Sequence, residues 1–252
     1  MRLTVLGCSG TFPGATSPCS GYLVEHDGYR LLVDLGNGAL GHLQRHVDLA
    51  ERNAIDAVYI SHVHGDHCLD LVPWSYARRY HPRGQDTPVP VYGPVGLRAR
   101  IASAYEVHPP PDGLLEVFDF REVPAGEHTL GPFAVSTKVM RHPVESHGVR
   151  LTAGGGTLVY SSDTATCDAL TDLARGSDLF LCEASWPAEP TPPEGMHLTG
   201  VEAGAHAAAA GVARLLLTHV LPFHDPQVLL AEARTTFDGP VEVAACGASY
   251  DV

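Results

Sequence analysis

The sequence has few basic residues for its length. Its 252 residues include 16 Lys and Arg against 29 Asp and Glu, which gives a formal net charge of −13. Because neutralisation of phosphates supplies most non-specific affinity for nucleic acids, this balance argues against an extended nucleic-acid surface. The length fits one large α/β domain or two small ones, and it is enough to bury a sizeable core.

Long hydrophobic runs and paired cysteines are also missing. No apolar stretch reaches the length that spans a bilayer, and the first apolar run, within residues 2–7, is too short for a signal peptide. None of the six cysteines forms a Cys-x-x-Cys pair, which favours small buried thiols in a reducing compartment. We therefore expect a cytoplasmic protein without a membrane segment. The absence of repeats, low-complexity tracts and linkers favours a single domain over residues 1–252.

Strand-like and helix-like patterns alternate along the chain. Two apolar runs around Asp27-Gly28 predict a hairpin over 21–36, and residues 56–61 predict a buried strand. A helix is expected over 198–211 with Gly211 as its C-cap, and residues 240–245 are expected to form the final strand. Strands interrupted by helices predict sheets with helices packed outside, an α/β (α+β) protein.

Four potential metal ligands follow the strand predicted over 56–61. His62 and His64 are two positions apart, so both side chains can leave the strand end on one side and reach a common point. Gly65 lets the chain bend sharply, and the adjacent Asp66 and His67 can diverge toward a second point. The alternative is an exposed, solvated His-rich turn. The position directly after a buried strand favours a metal site that serves two ions.

One segment cannot complete two metal shells, because each ion takes about four or five ligands. Three other apolar runs end in a ligand-type residue: His142, Asp163 and His219. Each alone is more typical of a capping or solvated residue. Together with the first segment they give seven donors, enough for two metals that share one carboxylate. Imidazole and carboxylate donors without thiolate suit Zn²⁺, with Mn²⁺ and Fe²⁺ as alternatives.

The order of these motifs resembles the metallo-β-lactamase fold superfamily over nearly the whole chain. The resemblance rests on HVHGDH, His142, YSSDT and LTH, in this order. LGCSGTFPG, the LLVDLGNG segment that contains Asp34, and the region from MHLTG to LLLTHV resemble its ribonuclease Z-like branch. MRLTVLGCSG, SPCSGYL, and DHCLDL followed by RRYHP resemble small actinobacterial members described as cyclic-nucleotide phosphodiesterases.

The resemblance implies a four-layer αββα sandwich with a dinuclear centre between the two sheets. The first metal would be bound by His62, His64 and His142, and the second by Asp66, His67 and His219, with Asp163 bridging. A water or hydroxide would sit between the metals. His197, which opens the HLTG helix, resembles a general-acid position; the alternative is a polar residue at a helix N-terminus. Cys68 matches no ligand position and is interpreted as a packing residue.

Charge counting limits the substrate. Two divalent ions, two ligand carboxylates and one hydroxide leave a net charge of about +1, which favours an anion. Two metals can clamp the attacking and leaving oxygens of a phosphoryl displacement, and Asp66 can also orient the nucleophile. We therefore expect hydrolysis of a small phosphodiester by attack of a metal-bridged hydroxide, and the resemblance implies a 3′,5′-cyclic nucleotide as the substrate.

Three other functions remain open. The first is tRNA 3′-end processing, but the arm that holds tRNA in that family lies between the positions of His142 and Asp163, which are only 21 apart here. The second is hydrolysis of a lactone, thioester or β-lactam. The third is metal binding without catalysis. Nine further histidines receive no role, and His147 and His224 are expected in solvated loops. The sequence leaves the oligomeric state open, a homodimer included.

Overall fold

The computed structural model describes residues 1–51, 53–83, 87–104, 115–191 and 193–252. Two seven-stranded mixed sheets form its centre. The first contains β1 (Arg2–Gly7), β2 (Gly21–His26), β3 (Tyr29–Leu35), β4 (Ala57–Tyr59), β5 (Val89–Gly93), β6 (Phe118–Glu122) and β14 (Ser249–Asp251). The second contains β7 (Glu127–Leu130), β8 (Phe133–Val139), β9 (His147–Ala153), β10 (Gly156–Tyr160), β11 (Leu179–Glu183), β12 (Leu215–Thr218) and β13 (Val241–Val243). Their strand orders are β14-β1-β2-β3-β4-β5-β6 and β13-β12-β11-β10-β9-β8-β7.

Helices pack on the outer face of each sheet. The first sheet carries α1 (Ala39–Leu43), α2 (Gly65–Cys68), α3 (Leu71–Arg79) and α4 (Leu97–Ser103), and the second carries α5 (Asp168–Ala174), α6 (Gly200–Ala210) and α7 (Pro226–Ala233). Tyr105, at the end of the helix-like run 95–105, lies outside the described residues. None of the described helices is long and apolar enough to cross a membrane.

The alternation of side chains along each strand separates three cores. In β1, Leu3 and Val5 join the core between the sheets, whereas Leu6 packs under α1–α4. In β12, Leu216 faces the first sheet, whereas its neighbours Leu215 and Leu217 pack under α5–α7. Because successive side chains point to opposite faces, each sheet is buried on both sides. The expected four-layer αββα sandwich is therefore confirmed.

Each sheet changes from antiparallel to parallel pairing partway across. Strands β3 to β6 pair in parallel, as do β10 to β13. Both β8 and β10 run antiparallel to β9, so β8 and β10 end at the same edge. The segments that follow β8, β10, β11 and β12 therefore meet at one end of the second sheet.

Several local predictions hold and two do not. Asp27 and Gly28 have φ of 47° and 80° between β2 and β3, as a tight hairpin turn requires. The last residue of helix α6 is Ala210, and Gly211, with a φ of 63°, is its C-cap. The strand predicted over 56–61 is shorter, Ala57–Tyr59. The final strand is not β13, because β14 follows it and pairs with β1. All six cysteines are free thiols.

Candidate metal centre

All seven predicted donor side chains lie together at one end of the sandwich. They form two sets of four, and within each set the donor atoms lie within 4.8 Å of one another. One set contains His62, His64, His142 and Asp163, and the other contains Asp66, His67, Asp163 and His219. Such His/Asp clusters suit divalent metal ions. Asp163 belongs to both sets, which matches the arrangement that the resemblance implies.

Three imidazoles converge in the first set. His64 Nδ1 lies 3.1 Å from His62 Nε2 and 3.2 Å from His142 Nε2. Burial is the largest influence on all three rings and holds the pKa of His62 well below its usual value, with smaller decreases for the other two. Neutral imidazole is the form that binds a metal. Three ring nitrogens facing one point cannot all be paired with each other, so the geometry fits a cation there.

The second set is built around a buried carboxylate. Asp163 Oδ1 lies 3.2 Å from His67 Nε2 and 3.4 Å from His219 Nε2. Despite these distances it is buried and lacks a geometrically sound hydrogen bond within the described part of the chain. A buried unpaired acceptor is costly. Asp66 Oδ2 closes the set at 3.2 Å from His219 Nε2. A shared cation at this point would satisfy the orphaned oxygen.

The charges of this set depend on whether a cation is present. Burial opposes a charge on His67, but Asp163, Asp66 and Asp34 outweigh it and hold the pKa of its ring well above the usual value. Burial likewise opposes the charge on Asp163, and the surrounding imidazoles outweigh it and hold the pKa of that carboxyl well below its usual range. In this state His67 carries a proton among carboxylates. A divalent ion would displace that proton, as metal binding to imidazole generally does.

The chain forms a short helix, α2, where a sharp bend was expected at Gly65. Asp66 and His67 of the second set lie in this helix. His64 is the N-cap of α2, and Leu69 N donates to Gly65 O at 3.1 Å, closing a single helical turn. A Cβ at Gly65 would lie 2.9 Å from a methyl carbon of Leu69. The prediction of two diverging directions holds, but a helical turn produces it. Cys68 is buried in the same turn, and its thiol donates to His64 O at 3.2 Å.

Outer hydrogen bonds orient the candidate ligands. Asp34 is fully buried and accepts from His67 Nδ1 at 2.8 Å, from Ser61 N at 2.7 Å and from Tyr160 OH at 2.9 Å. His142 Nδ1 donates to Met196 O at 2.9 Å. Because Nδ1 of His67 and Nδ1 of His142 are engaged in these hydrogen bonds, Nε2 of each ring faces the centre. Partners of this kind fix tautomer and ring angle in metal sites.

Backbone strain concentrates at the same place. Six non-glycine residues in the described ranges have positive φ, and four of them adjoin the centre: Thr11 at 63°, Asp34 at 59°, Ser162 at 55° and His219 at 58°. Thr11 N also donates to Asp66 Oδ2 at 2.8 Å. Strained residues of this kind persist where the surroundings hold them and cluster at functional sites. The clustering supports this end as the functional one.

His197 lies beside the centre and is held by Glu183. Its Nδ1 lies 3.1 Å from Glu183 Oε1 and 4.0 Å from Asp163 Oδ2. Burial lowers the pKa of His197, but the charge and hydrogen bond of Glu183 outweigh it and raise the pKa to about 9. Glu183 therefore favours the protonated imidazolium, the form that a proton donor requires.

Glu183 is the functional residue that sequence reasoning missed. It is fully buried and accepts hydrogen bonds from Thr164 N at 2.6 Å, Ser185 Oγ at 2.7 Å and Leu198 N at 3.2 Å. Its donor atom also lies near those of His197 and His219. Because both of its oxygens are occupied, we assign it to positioning rather than to metal binding. A signal existed, since β11 is an apolar strand that ends at Glu183.

The expectation for His147 was wrong. It is fully buried at the start of β9 and bonds Tyr59 OH and Glu145 Oε1, each at 2.8 Å. Its ring fills the space between the sheets rather than a solvated loop. His224 is half-buried, and its ring centroid lies 5.3 Å from that of Trp186. His108 lies outside the described residues.

Known proteins are similar to this chain in sequence and in fold. A family model described as the Beta-lactamase superfamily domain matches residues 29–220. The uncharacterized protein Rv1339 of Mycobacterium tuberculosis is 43% identical over 256 residues, which cover 100% of this chain and 92% of the relative. The probable metallo-hydrolase YhfI of Bacillus subtilis is 34% identical over 251 residues, 98% of each chain. The crystal structure of YhfI, a metallo-beta-lactamase fold protein, matches with a TM-score of 0.86 at 31% identity over 99% of both chains.

A more distant relative is the ribonuclease Z of Myxococcus xanthus. It is 27% identical over 307 aligned positions, which cover 100% of this chain and 98% of the relative. The family match covers most of the chain, and the YhfI match exceeds 30% identity over nearly its whole length. This chain belongs to the beta-lactamase superfamily and is a metal-dependent hydrolase with the metallo-β-lactamase fold.

Proposed function

We propose that this chain, acting as one metallo-hydrolase domain over residues 1–252, is a phosphodiesterase that hydrolyses a small phosphodiester such as a 3′,5′-cyclic nucleotide. The observation that carries the proposal is Asp163. Its Oδ2 lies 3.5 Å from His62 Nε2 in the first set, and its Oδ1 lies 3.2 Å from His67 Nε2 in the second. One carboxylate would therefore bridge two ions.

The donor sets divide the ligands. The first ion would be held by His62, His64, His142 and Asp163, and the second by Asp66, His67, His219 and Asp163. Imidazole and carboxylate donors favour Zn²⁺. When bound, two such ions supply Lewis acids that polarise a phosphoryl oxygen and make a water nucleophilic near neutral pH. Their combined charge, less that of the ligands, would attract an anionic substrate.

The chain's own residues would orient the nucleophile and protonate the leaving group. Asp66 would hold the second ion through Oδ2, which lies 3.2 Å from His219 Nε2, and its carboxylate would orient the attacking water. His197 would donate the proton. Because Glu183 holds its Nδ1, Nε2 is the nitrogen that can reach a leaving oxygen. General acid catalysis of this kind is worth about 10²–10⁴-fold in rate.

Ribonuclease Z activity is the second candidate. The Myxococcus relative supports it through its sequence similarity. That alignment runs over 307 positions, whereas this chain has 252 residues, so the relative carries segments that this chain lacks. Between His142 and Asp163 this chain has only the strands β9 and β10, joined at Gly154-Gly155. Without an arm, and with a net charge of −13, a firm grip on tRNA is not expected.

Lactones, thioesters and β-lactams form the third class of substrate. The Glu183–His197 pair favours a phosphodiester, because expelling a ribose alkoxide needs a proton donor at the leaving oxygen.

The free thiols favour a reducing compartment, and we place the enzyme in the cytoplasm on that ground.

A hydrolysis screen tests the proposal. Purified protein loaded with Zn²⁺ is assayed against cyclic AMP, cyclic GMP, pre-tRNA, a lactone and a thioester at physiological salt. We expect turnover of at least one cyclic nucleotide and little cleavage of pre-tRNA. Efficient cleavage of pre-tRNA with no turnover of cyclic nucleotides would reverse the order of the first two candidates.

A further inference from the structure

Two aromatic residues, the half-buried Phe12 and the exposed Phe223, lie on loops that border the metal centre. Phe223 exposes 80% of its surface and follows His219 by four residues. Phe12 follows Thr11, whose N–H binds Asp66. The ring centroids of Phe12 and Phe223 are 4.8 Å apart, with their planes at 51°. Keeping the Phe223 ring in water is unfavourable, so its exposure beside Phe12 at this position favours a ligand.

The backbone fixes this pair relative to the centre. Gly10 N donates to Val220 O at 3.0 Å, and Ser9 forms a β-bridge with Val220. A Cβ at Gly10 would lie 2.4 Å from His219 O, so only glycine allows this approach. The two loops are therefore joined directly beside a candidate ligand. These contacts hold the backbone that carries both rings close to the candidate ligand.

A cavity of about 540 Å³ lies along the same two loops. Neither phenylalanine and none of the candidate ligands line it, but their chain neighbours do: Thr218 and Val220 on either side of His219, and Pro222 and His224 on either side of Phe223. Its volume lies within the range of sites that hold small organic ligands. The cavity therefore offers space along these loops for a part of the substrate that does not react.

The chemistry of the cavity favours an uncharged ring with polar edges. Residues 8–17 and 220–224 contain no Lys or Arg, so nothing on them would hold a second phosphate. His224 Nε2 is buried and has no hydrogen-bond partner in the described part of the chain. A ligand that offers one hydrogen bond would satisfy this nitrogen. An apolar peptide would leave it unpaired.

We propose that Phe12, Phe223 and the adjoining cavity form a subsite for a planar heteroaromatic group of the substrate, a nucleobase, while the phosphodiester lies at the metal centre. This inference rests on the proposed function and names the substrate class more closely. Stacking of a base on an aromatic side chain is sequence-tolerant and is lost on alanine substitution. The size of that loss converts to about a 5- to 150-fold change in affinity.

The test compares two substrates that differ only in the base. Phe223→Ala is assayed on cyclic AMP and on the abasic ribose 3′,5′-cyclic phosphate, each over a range of concentrations. We expect the KM for cyclic AMP to rise about 5- to 150-fold, with the KM for the abasic compound and both kcat values unchanged. Phe223→Trp should retain the KM for cyclic AMP. Tyr80→Ala, a matched control 71% exposed at the end of α3, should change neither.

The outcomes separate the subsite from the reaction. An unchanged KM for cyclic AMP in Phe223→Ala, or an equal rise for both substrates, overturns the subsite and leaves the phosphodiesterase proposal standing. Failure of the wild-type enzyme to hydrolyse either cyclic phosphate overturns the proposed function and this inference with it. Because Phe223 is exposed, loss of the fold in Phe223→Ala is not expected, and an unchanged Tm checks this.

Discussion

Glu183 and His197 form a buried hydrogen-bonded pair, with 3.1 Å between Oε1 and Nδ1. The same carboxylate reaches His219 through one hydroxyl: Ser185 Oγ donates to Glu183 Oε2 at 2.7 Å and lies 2.9 Å from His219 Nδ1. One glutamate therefore orients both the proposed proton donor and a candidate metal ligand. The side chain of Glu183 therefore connects His197 to His219 through hydrogen bonds.

His197→Ala should discriminate between leaving groups. A ribose 3′-alkoxide is a strong base and leaves poorly without a proton, whereas a nitrophenolate leaves with little help. We expect a loss of about 10²–10⁴-fold in kcat on cyclic AMP and a much smaller loss on bis(p-nitrophenyl) phosphate. An equal loss on both, with metals retained, would point to charge stabilisation of the phosphoryl group. A loss of metal would make His197 a ligand.

Glu183→Gln should move the alkaline limb of the pH profile. The pKa of His197 is raised to about 9, so the protonated donor is present below that value and is lost as the pH rises through it. Removing the negative charge lowers this pKa, so activity on cyclic AMP should begin to fall at a lower pH. Glu194→Gln, which changes an exposed side chain paired with Arg141, is the control. An alkaline limb that stays in place would contradict the role of Glu183.

Asp163→Asn should lose both metals together. It is the one residue shared by the two principal donor sets, and its amide would be a weak ligand in either. Elemental analysis of wild-type protein purified without chelator should give close to two ions per chain, and the variant far fewer, with activity lost. Asp172→Asn, on the surface beside Arg175 and Lys138, should keep both. Full activity in Asp163→Asn would remove the bridging assignment.

Metal removal should abolish substrate binding as well as turnover. Without ions, Asp66 and Asp163 leave two carboxylates against the one protonated ring of His67, and the low pKa of Asp163 keeps its carboxylate charged. A phosphodiester anion should then be repelled. Calorimetry of chelator-treated protein with cyclic AMP should show little heat, and addition of Zn²⁺ should restore binding. Tight binding to the metal-free form would mean that the phosphate is held elsewhere.

The donors could be predicted from sequence because each follows an apolar run. His142, Asp163 and His219 all stand at or just beyond strand ends, and strand ends at one edge of a sheet are close in space. Glu183 ends β11 in the same way, but its place in the chemistry depends on a hydrogen bond to His197, 14 residues later. A contact of this kind leaves no local pattern.

Other features escaped prediction for related reasons. Helix α2 is a single turn, too short to show a helical period, so a bend was the simplest expectation for Gly65. Strand β14 has three residues and pairs with β1 at the other end of the chain. His147 looked like a loop residue because its partner Tyr59 lies 88 positions away. For β14 and His147 a long-range contact decides the outcome.

The left-handed backbone at Asp34, Ser162 and His219 sets a limit on engineering this enzyme. Each such residue costs about 1–2 kcal/mol relative to an ordinary conformation. Substitutions that remove the backbone strain at these positions should therefore raise the melting temperature. The same substitutions would change the side chains that bind or orient the centre. Searches for thermostable variants scored on stability alone should accumulate inactive ones here. Gains that keep activity should come from the opposite end of the sandwich.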